Sequence, residues 1–284
     1  MAADYEYSLM AGRAYQSTRN KKNWFPVPNG WTEIENSHKE NPSSGFEATA
    51  FRNLATDEIV ISFAGTGPGF VLTSKDWWTN FELTKGECVQ QLRDAAAYYM
   101  DIKKKYANAA ITFTGHSLGG GIAAILGVLF DVQATTFDQA PFSRSCCDSI
   151  RNDLKSYLLS LRGDDNQLLY NESDLQALSS FTNLAQREGN VRNIVVDGEI
   201  LSTFLVDILP GRRIGTTEIL NHGCTGAGAS DLHAQSLMTL FLMNDKFRDL
   251  TMDFHDLVGM MNDSQLFYND PNKLHDANER RQAA

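Results

Sequence analysis

Ala109-Ala110-Ile111-Thr112-Phe113-Thr114-Gly115-His116-Ser117-Leu118-Gly119-Gly120-Gly121-Ile122-Ala123-Ala124-Ile125-Leu126-Gly127-Val128-Leu129-Phe130 is the stretch that decides the fold. It opens with a short β-branched and aromatic run, passes through a cluster of glycines around one serine, and closes in a run of small and aliphatic residues. Strand, sharp turn and helix is the order this composition predicts. A serine at the tip of such a turn occupies a cramped backbone, so the positions two before and two after it tolerate no side chain; Gly115 and Gly119 meet that need. The helix that follows aims its free N–H groups and positive dipole end at the place where negative charge develops during acyl transfer, and Leu118 carries the first of those N–H groups. The stretch reads as a nucleophile elbow with Ser117 as its nucleophile.

Working outward, the neighbouring text supplies the rest of a mostly parallel sheet. Upstream, Glu58-Ile59-Val60-Ile61-Ser62-Phe63 is a buried-type strand, preceded by an alternating run from Gly45 that predicts a hairpin partner. It ends in Ala64-Gly65-Thr66-Gly67-Pro68-Gly69, a loop at a strand's carboxyl end, where open α/β sheets place their ligands. Thr66 is the candidate second oxyanion donor there, beside Leu118. Asp76-Trp77-Trp78-Thr79-Asn80-Phe81 follows as an aromatic cluster, read either as a lid wall or as plain core. Cys88 to Tyr106 has helical spacing, with Lys103 to Lys105 at the end that suits the dipole. Past the elbow, Gln133 to Phe142 reads as the next strand, and Asn193 to Val196 as another. Between them residues 143–192 hold more helical text than one crossover needs, which predicts an inserted cap. Phe204 to Gly228 reads as loop, residues 231–243 as helix and residues 244–284 as a helical tail. One domain of 284 residues, α/β-hydrolase in class, with a mostly parallel central sheet flanked by helices, is the expected architecture.

Composition narrows the partners. Lys and Arg total 25 against 35 Asp and Glu, a net charge of −10, with no basic cluster beyond the Lys103 helix end. Nucleic acid is excluded on this balance, and an anionic membrane repels the chain unless apolar contact drives a peripheral docking. Cys88, Cys146, Cys147 and Cys224 have neither zinc-ligand spacing nor a disulfide framework, so free thiols are expected. Met1 to Met10 mixes acids with tyrosines where a signal peptide needs a basic then an apolar segment, and no run approaches the ~20 apolar residues of a spanning helix. The chain reads as soluble and cytoplasmic as synthesised, with signal-independent secretion still open.

A serine hydroxyl becomes a useful nucleophile when a histidine takes its proton and a carboxylate orients that histidine. The hydrolase order is serine, acid, histidine. His38 precedes the elbow and His116 lies within it, leaving His222, His233, His255 and His275 as bases; His233, just after Asp231 at a loop-to-helix position, ranks first and His222 second. The acid should lie past the Asn193 strand, where Glu199, Asp197 and Asp207 all qualify by position.

Four blocks resemble the class 3 lipase family, α/β hydrolases that include fungal triacylglycerol lipases and bacterial phospholipase A1-like proteins. Ile59 to Thr66 is similar to the family's strand and oxyanion loop, with Ala64 where Arg is usual. Ile111 to Gly120 matches its T-G-H-S-L-G-G elbow. Thr136-Phe137-Asp138-Gln139-Ala140-Pro141 resembles the following strand end, with Asp138 where Gly is common, and Asp231-Leu232-His233 resembles the block carrying the base. Laying Val195 to Leu201 on the family's acid motif puts Glu199 at the acid position, ahead of Asp197 and then Asp207. The resemblance implies a serine hydrolase of lipid esters, lipase or phospholipase A1-like, needing neither metal nor organic cofactor. Ser117, His233 and Glu199 would form its triad, and the Thr66 and Leu118 N–H groups its oxyanion hole. A non-catalytic lipase-like binding or signalling module and a small-ester carboxylesterase are the alternatives. A module of a larger effector with a delivery or immunity partner protein also fits.

Overall fold

Alternation in the strands sorts side chains onto two faces, and each face is covered by its own helices. The computed structural model describes residues 1–17, 25–65, 85–203 and 211–257. Helix α1 (Asp4–Arg13) is followed by strands β1 (Trp31–Glu33), β2 (Lys39–Asn41), β3 (Phe46–Asn53) and β4 (Ile59–Phe63). Next come α2 (Lys85–Lys105), β5 (Ile111–His116), α3 (Leu118–Phe130) and β6 (Ala134–Phe137). Then come α4 (Asp148–Ser160), α5 (Gln176–Ser180), β7 (Val191–Val196), α6 (Ile200–Thr203) and β8 (Thr216–Leu220). The described part closes with β9 (Cys224–Thr225), α7 (Ala229–Leu232), α8 (Gln235–Met243), α9 (Asp245–Asp249) and β10 (Met252–Asp253).

The main sheet runs β1-β3-β4-β5-β6-β7-β8, with β2 also paired to β3. β1, β2 and β4 are antiparallel to β3, whereas β4 through β8 are parallel throughout. This is the α/β-hydrolase arrangement expected from the sequence. The elbow strand β5 sits between β4 and β6, in register Ile61 with Phe113 and Phe113 with Ala134. Both its faces are therefore buried, which is why Ala110 to Thr114 reads as a continuous apolar run rather than an alternating one.

Along β4, Ile59, Ile61 and Phe63 enter one core with α2, α3 and α4, while Val60 enters the other with α1 and α8. On the first face Tyr99 meets Phe113 and Phe130 edge-on, each with ring centroids 5.0 Å apart. On the second, a buried polar knot joins α1 to α8: Ser8 Oγ and Thr239 Oγ1 are 2.7 Å apart, and Gln235 Nε2 donates to the Ser8 carbonyl at 2.8 Å.

Residues 143–192 differ from the expected cap. α4 packs on α2 and α5 on α3, burying Leu154, Leu158, Leu175 and Leu178 in the first core. Arg187 then reaches back to donate to the Leu129 carbonyl at 2.9 Å, satisfying an orphan acceptor at the end of α3. The physical reason is an apolar stripe that finds its partner on the helix layer, so the segment thickens a flank of the sheet. The loop reading of Phe204 to Gly228 also needs correcting, because it contains β8. That strand is on the sheet edge and exposed for four of its five residues, so it carries no alternation to detect. In the tail the described residues form α9 and β10, the latter paired to β9, rather than one continuous helix. Cys146, Cys147 and Cys224 are free thiols. No helix among the described residues is long and apolar enough to cross a membrane. Thr66, the 76–81 aromatic cluster, Asp207 and His275 lie outside the described residues.

Candidate active site

At the end of β5 the chain turns through Ser117 with φ 57° and ψ −123°, and α3 starts at the next residue. A positive φ on a residue with a side chain costs of order 1 kcal/mol or more and persists only where the surroundings hold it. Here they do. A Cβ on Gly115 would meet the Gly119 carbonyl at 2.5 Å, and a Cβ on Gly119 would meet the Phe63 carbonyl oxygen at 2.1 Å. The Ser117 N–H donates to the Phe137 carbonyl, and its own carbonyl accepts from Ala140 N, both at 3.0 Å. The elbow is thus clamped between β4 and β6. Leu118, first in the helix, has an N–H with no intrahelical acceptor. Gly65 lies against it: a Cβ there would stand 3.4 Å from Leu118 N, so the loop leading into Thr66 starts beside that donor.

The downstream histidines separate cleanly. His233, just past α7, is buried and its Nε2 lies 2.9 Å from Ser117 Oγ. His222 is half-buried and turned away from the serine, with Nε2 3.0 Å from the Asp197 carbonyl and Nδ1 accepting from Cys224 N. His255 is exposed on the tail. The acids separate as well. Asp197 is exposed, whereas Glu199 is fully buried with Oε2 2.7 Å from His233 Nδ1. The structure therefore brings Ser117, His233 and Glu199 into one hydrogen-bonded line, with Nδ1–H donating to the carboxylate and Nε2 facing the serine.

Glu199 is held by more than His233. Leu201 N donates to Oε2 at 2.8 Å, and Ser202 Oγ donates to Oε1 at 2.6 Å. Arg213 Nη2 donates to Oε1 at 2.5 Å while Nε bonds the Gln139 carbonyl and Nη1 the Ser202 hydroxyl, both at 2.9 Å. Burial pushes this carboxyl up, but the hydrogen bonds from His233 and Ser202 and the charges of His233 and Arg213 outweigh it and bring it down to about 2.

His116 acts on the same line from below. Its Nε2–H donates to the His233 carbonyl at 2.9 Å, its ring sits 4.7 Å from the His233 ring, and Tyr15 Oη approaches Nδ1 at 3.4 Å. Burial, and then the neighbouring His233, hold it well below the ordinary histidine value, so it is neutral. Asp138, fully buried at the end of β6, accepts from Val196 N at 2.9 Å through Oδ1. Arg213, Ser202, Gln139 and Asp138 were not legible as site residues; the sole signal was Asp138 standing where the family motif commonly has Gly.

Among the described residues, His116, Asp138 and His233 form one group with the reach to share a metal ion, and His38, Glu40 and Glu47 another. In the first, both His233 nitrogens and His116 Nε2 are already committed to the bonds above. In the second, Glu47 is taken by His38 and by the Gln16 and Ser17 N–H groups.

A phospholipase-like family model, the Tle-like phospholipase domain, matches residues 6–232. The chain belongs to this family. The Tle-like phospholipase match spans the elbow and the acid loop and stops one residue short of His233. An extracellular phospholipase A1 from Serratia liquefaciens is 31% identical over 110 residues, 39% of this chain and 32% of that protein. A putative lipase ATG15 from Passalora fulva is 24% identical over 174 residues, 48% of this chain and 26% of that protein. The chain therefore spans about a quarter to a third of the length of these relatives. Among solved structures, Lip2 lipase from Yarrowia lipolytica aligns with TM-score 0.45 at 15% identity, covering 80% of each chain. Lipase II from Rhizopus niveus aligns with TM-score 0.45 at 13% identity, covering 76% of this chain and 79% of that one.

Proposed function

We propose that this Tle-like phospholipase domain hydrolyses carboxylic ester bonds of lipids through an acyl-enzyme intermediate. The observation that carries the reading is the unbroken line from Ser117 Oγ through His233 to the buried Glu199. His233 Nε2 takes the serine proton as Oγ attacks the acyl carbonyl, and Nδ1–H remains on the ionised Glu199, which stabilises the imidazolium. The carbonyl oxygen gains negative charge in the mouth of the elbow, where the Leu118 N–H receives it, with Thr66 the sequence's candidate for the second donor. His233 then returns its proton to the leaving alcohol. In the second half it takes a proton from water as the water oxygen bonds to the acyl carbon, and the Oγ–acyl bond then breaks as His233 returns that proton to Ser117 Oγ, which frees the fatty acid.

A phospholipid is the substrate class that the family and the Serratia relative favour. With a net charge of −10, docking on a lipid surface rests on apolar contact rather than on attraction to anionic head groups. Ser117→Ala is expected to abolish hydrolysis of p-nitrophenyl esters, a loss of about 10⁶-fold in kcat, with an unchanged melting curve. Turnover that survives the substitution sinks the proposal. With phosphatidylcholine, mass analysis of products should find the sn-1 acid released; free acid from a triacylglycerol alone would point to a lipase, and a folded wild-type domain inert to both, and to a fluorophosphonate probe at Ser117, to a binding module.

A further inference from the structure

Asp138 takes no step in the reaction above, yet it is fully buried beside it. Oδ1 caps the Val196 N–H, and that role needs only a neutral acceptor. Oδ2 has no hydrogen-bond partner. It points at the two histidines: His116 Nε2 is 3.9 Å away, and the ligating atoms of His116, Asp138 and His233 all fall within 4.8 Å of one another. The backbone at Asp138 has φ 41°, a conformation that favours glycine and that a side chain enters at a cost. A strained site keeping a carboxyl, with one oxygen orphaned toward the base, calls for more than a strand cap.

A carboxylate oxygen without a partner in a dry site is costly, whereas a protonated carboxyl is far less so. The charged and titratable groups facing it are His116 from β5, Glu199 from the turn after β7, Arg213 from the approach to β8 and His233 from the α7–α8 junction. Glu199 already supplies the negative charge that Arg213 and His233 need. We propose that Asp138 is the second acid of a two-carboxyl, one-charge system around His233: it keeps its proton while Glu199 is ionised, and it releases that proton to solvent and becomes the anionic partner when the charge of Glu199 is removed. Burial, followed by repulsion from Glu199, holds Asp138 well above the ordinary carboxylate range, which accords with this division. Asp138 makes no hydrogen bond to Ser117 and faces the histidines, so the role proposed for it is that of a positioning residue that acts through His233. The inference rests on the triad reading of Ser117, His233 and Glu199.

The test compares Glu199→Gln, Asp138→Asn and the double variant by kcat/KM against pH on a p-nitrophenyl ester, each checked for folding by its melting curve. Asp138→Asn keeps an acceptor for Val196 and is expected to lower kcat/KM about threefold. Glu199→Gln is expected to fall about a hundredfold and to gain a rising limb with pH as Asp138 ionises; the double variant should reach the loss of about 10⁴-fold that accompanies removal of a triad acid. Equal activity of Glu199→Gln and the double variant, or the same threefold factor for Asp138→Asn in both backgrounds, overturns the proposal. A second measurement stands apart from hydrolysis and from whether Glu199→Gln folds. The folded wild-type protein at neutral pH should have an infrared protonated-carboxyl C=O band that Asp138→Asn lacks. Absence of that band overturns the proposal even if Ser117 is the nucleophile, and its presence would stand even if Ser117→Ala left hydrolysis unchanged.

Discussion

Arg213 spends its guanidinium on one object, the acid's loop: Glu199, Ser202 and the Gln139 carbonyl receive its Nη2, Nη1 and Nε. Its partner carboxylate is fully buried, so removing the cation leaves an uncompensated charge in the interior. Arg213→Ala is expected to cost about 3 kcal/mol of stability, the lower end for breaking a buried pair, and to lower kcat by about tenfold to a hundredfold through a misplaced Glu199. Arg213→Lys should restore only part of either, because a single ammonium cannot serve the three acceptors of the planar fork. Urea titrations and steady-state kinetics on the two variants check this; wild-type stability and rate in Arg213→Ala would refute it. Ser117 and His233 were visible in the sequence as candidates through motif spacing and chain order, whereas Glu199 shared its position with Asp197 and Asp207 and was ranked ahead of them only by the family resemblance. Arg213 was not visible, since a lone arginine in loop-like text carries no mark of the charge it will meet.

The elbow is an element whose performance depends on what it does not contain. Gly119 lets α3 pass with its backbone against the β4 carbonyls, and there a Cβ would stand 2.1 Å from the Phe63 oxygen and 2.7 Å from the Ala64 carbonyl carbon. Neither atom is a flexible side-chain tip, so Gly119→Ala must push β4 and the elbow apart. The expected cost is about 1–3 kcal/mol of stability, with a loss of activity larger than the loss of folded protein, because Gly65 and the Leu118 N–H separate. Comparing the melting temperature with active-site titration by a fluorophosphonate tests it, and full labelling at wild-type rate would refute it. Strands β4 to β7 were legible because they are buried on both faces and rich in Ile, Val, Phe and Thr. β8 escaped because an exposed edge strand needs no apolar pattern, and α4 and α5 were legible as helices but not as a flank of the sheet, since an amphipathic stripe does not say which surface it will meet.

Across the whole molecule, the site adds a pH dependence to the fold. His116 is buried and neutral well below the ordinary histidine value of 6.5, so unfolding below that pH takes up a proton that the folded protein refuses. Its contribution is present above 6.5 and is lost as pH falls, at up to about 1.4 kcal/mol per pH unit. Glu199, brought down from 4.5 to about 2, works in the same direction in a lower window: its contribution is present above 4.5 and lost toward 2. Asp138, raised in the folded state, has the opposite slope over the range in which its unfolded carboxyl is ionised and its folded one is not. A difference measurement removes both carboxyls: between pH 7 and 5, denaturant unfolding of the wild type should lose more stability than His116→Gln, whose amide keeps a donor for the His233 carbonyl without titrating. Equal losses in the two proteins would refute the buried neutral histidine. By itself, the sequence determined the α/β-hydrolase class, the central strands, the elbow, and Ser117 and His233 as the leading candidates for nucleophile and base, because strand periodicity, glycine sterics and chain order are local properties written in neighbouring residues. Only the tertiary structure decided that Glu199 rather than Asp197 stands behind His233, that residues 143–192 cover a flank, and that Arg213, His116 and Asp138 converge on the triad. Those facts depend on burial and on distances between residues far apart in the chain, which are properties of the packed sheet.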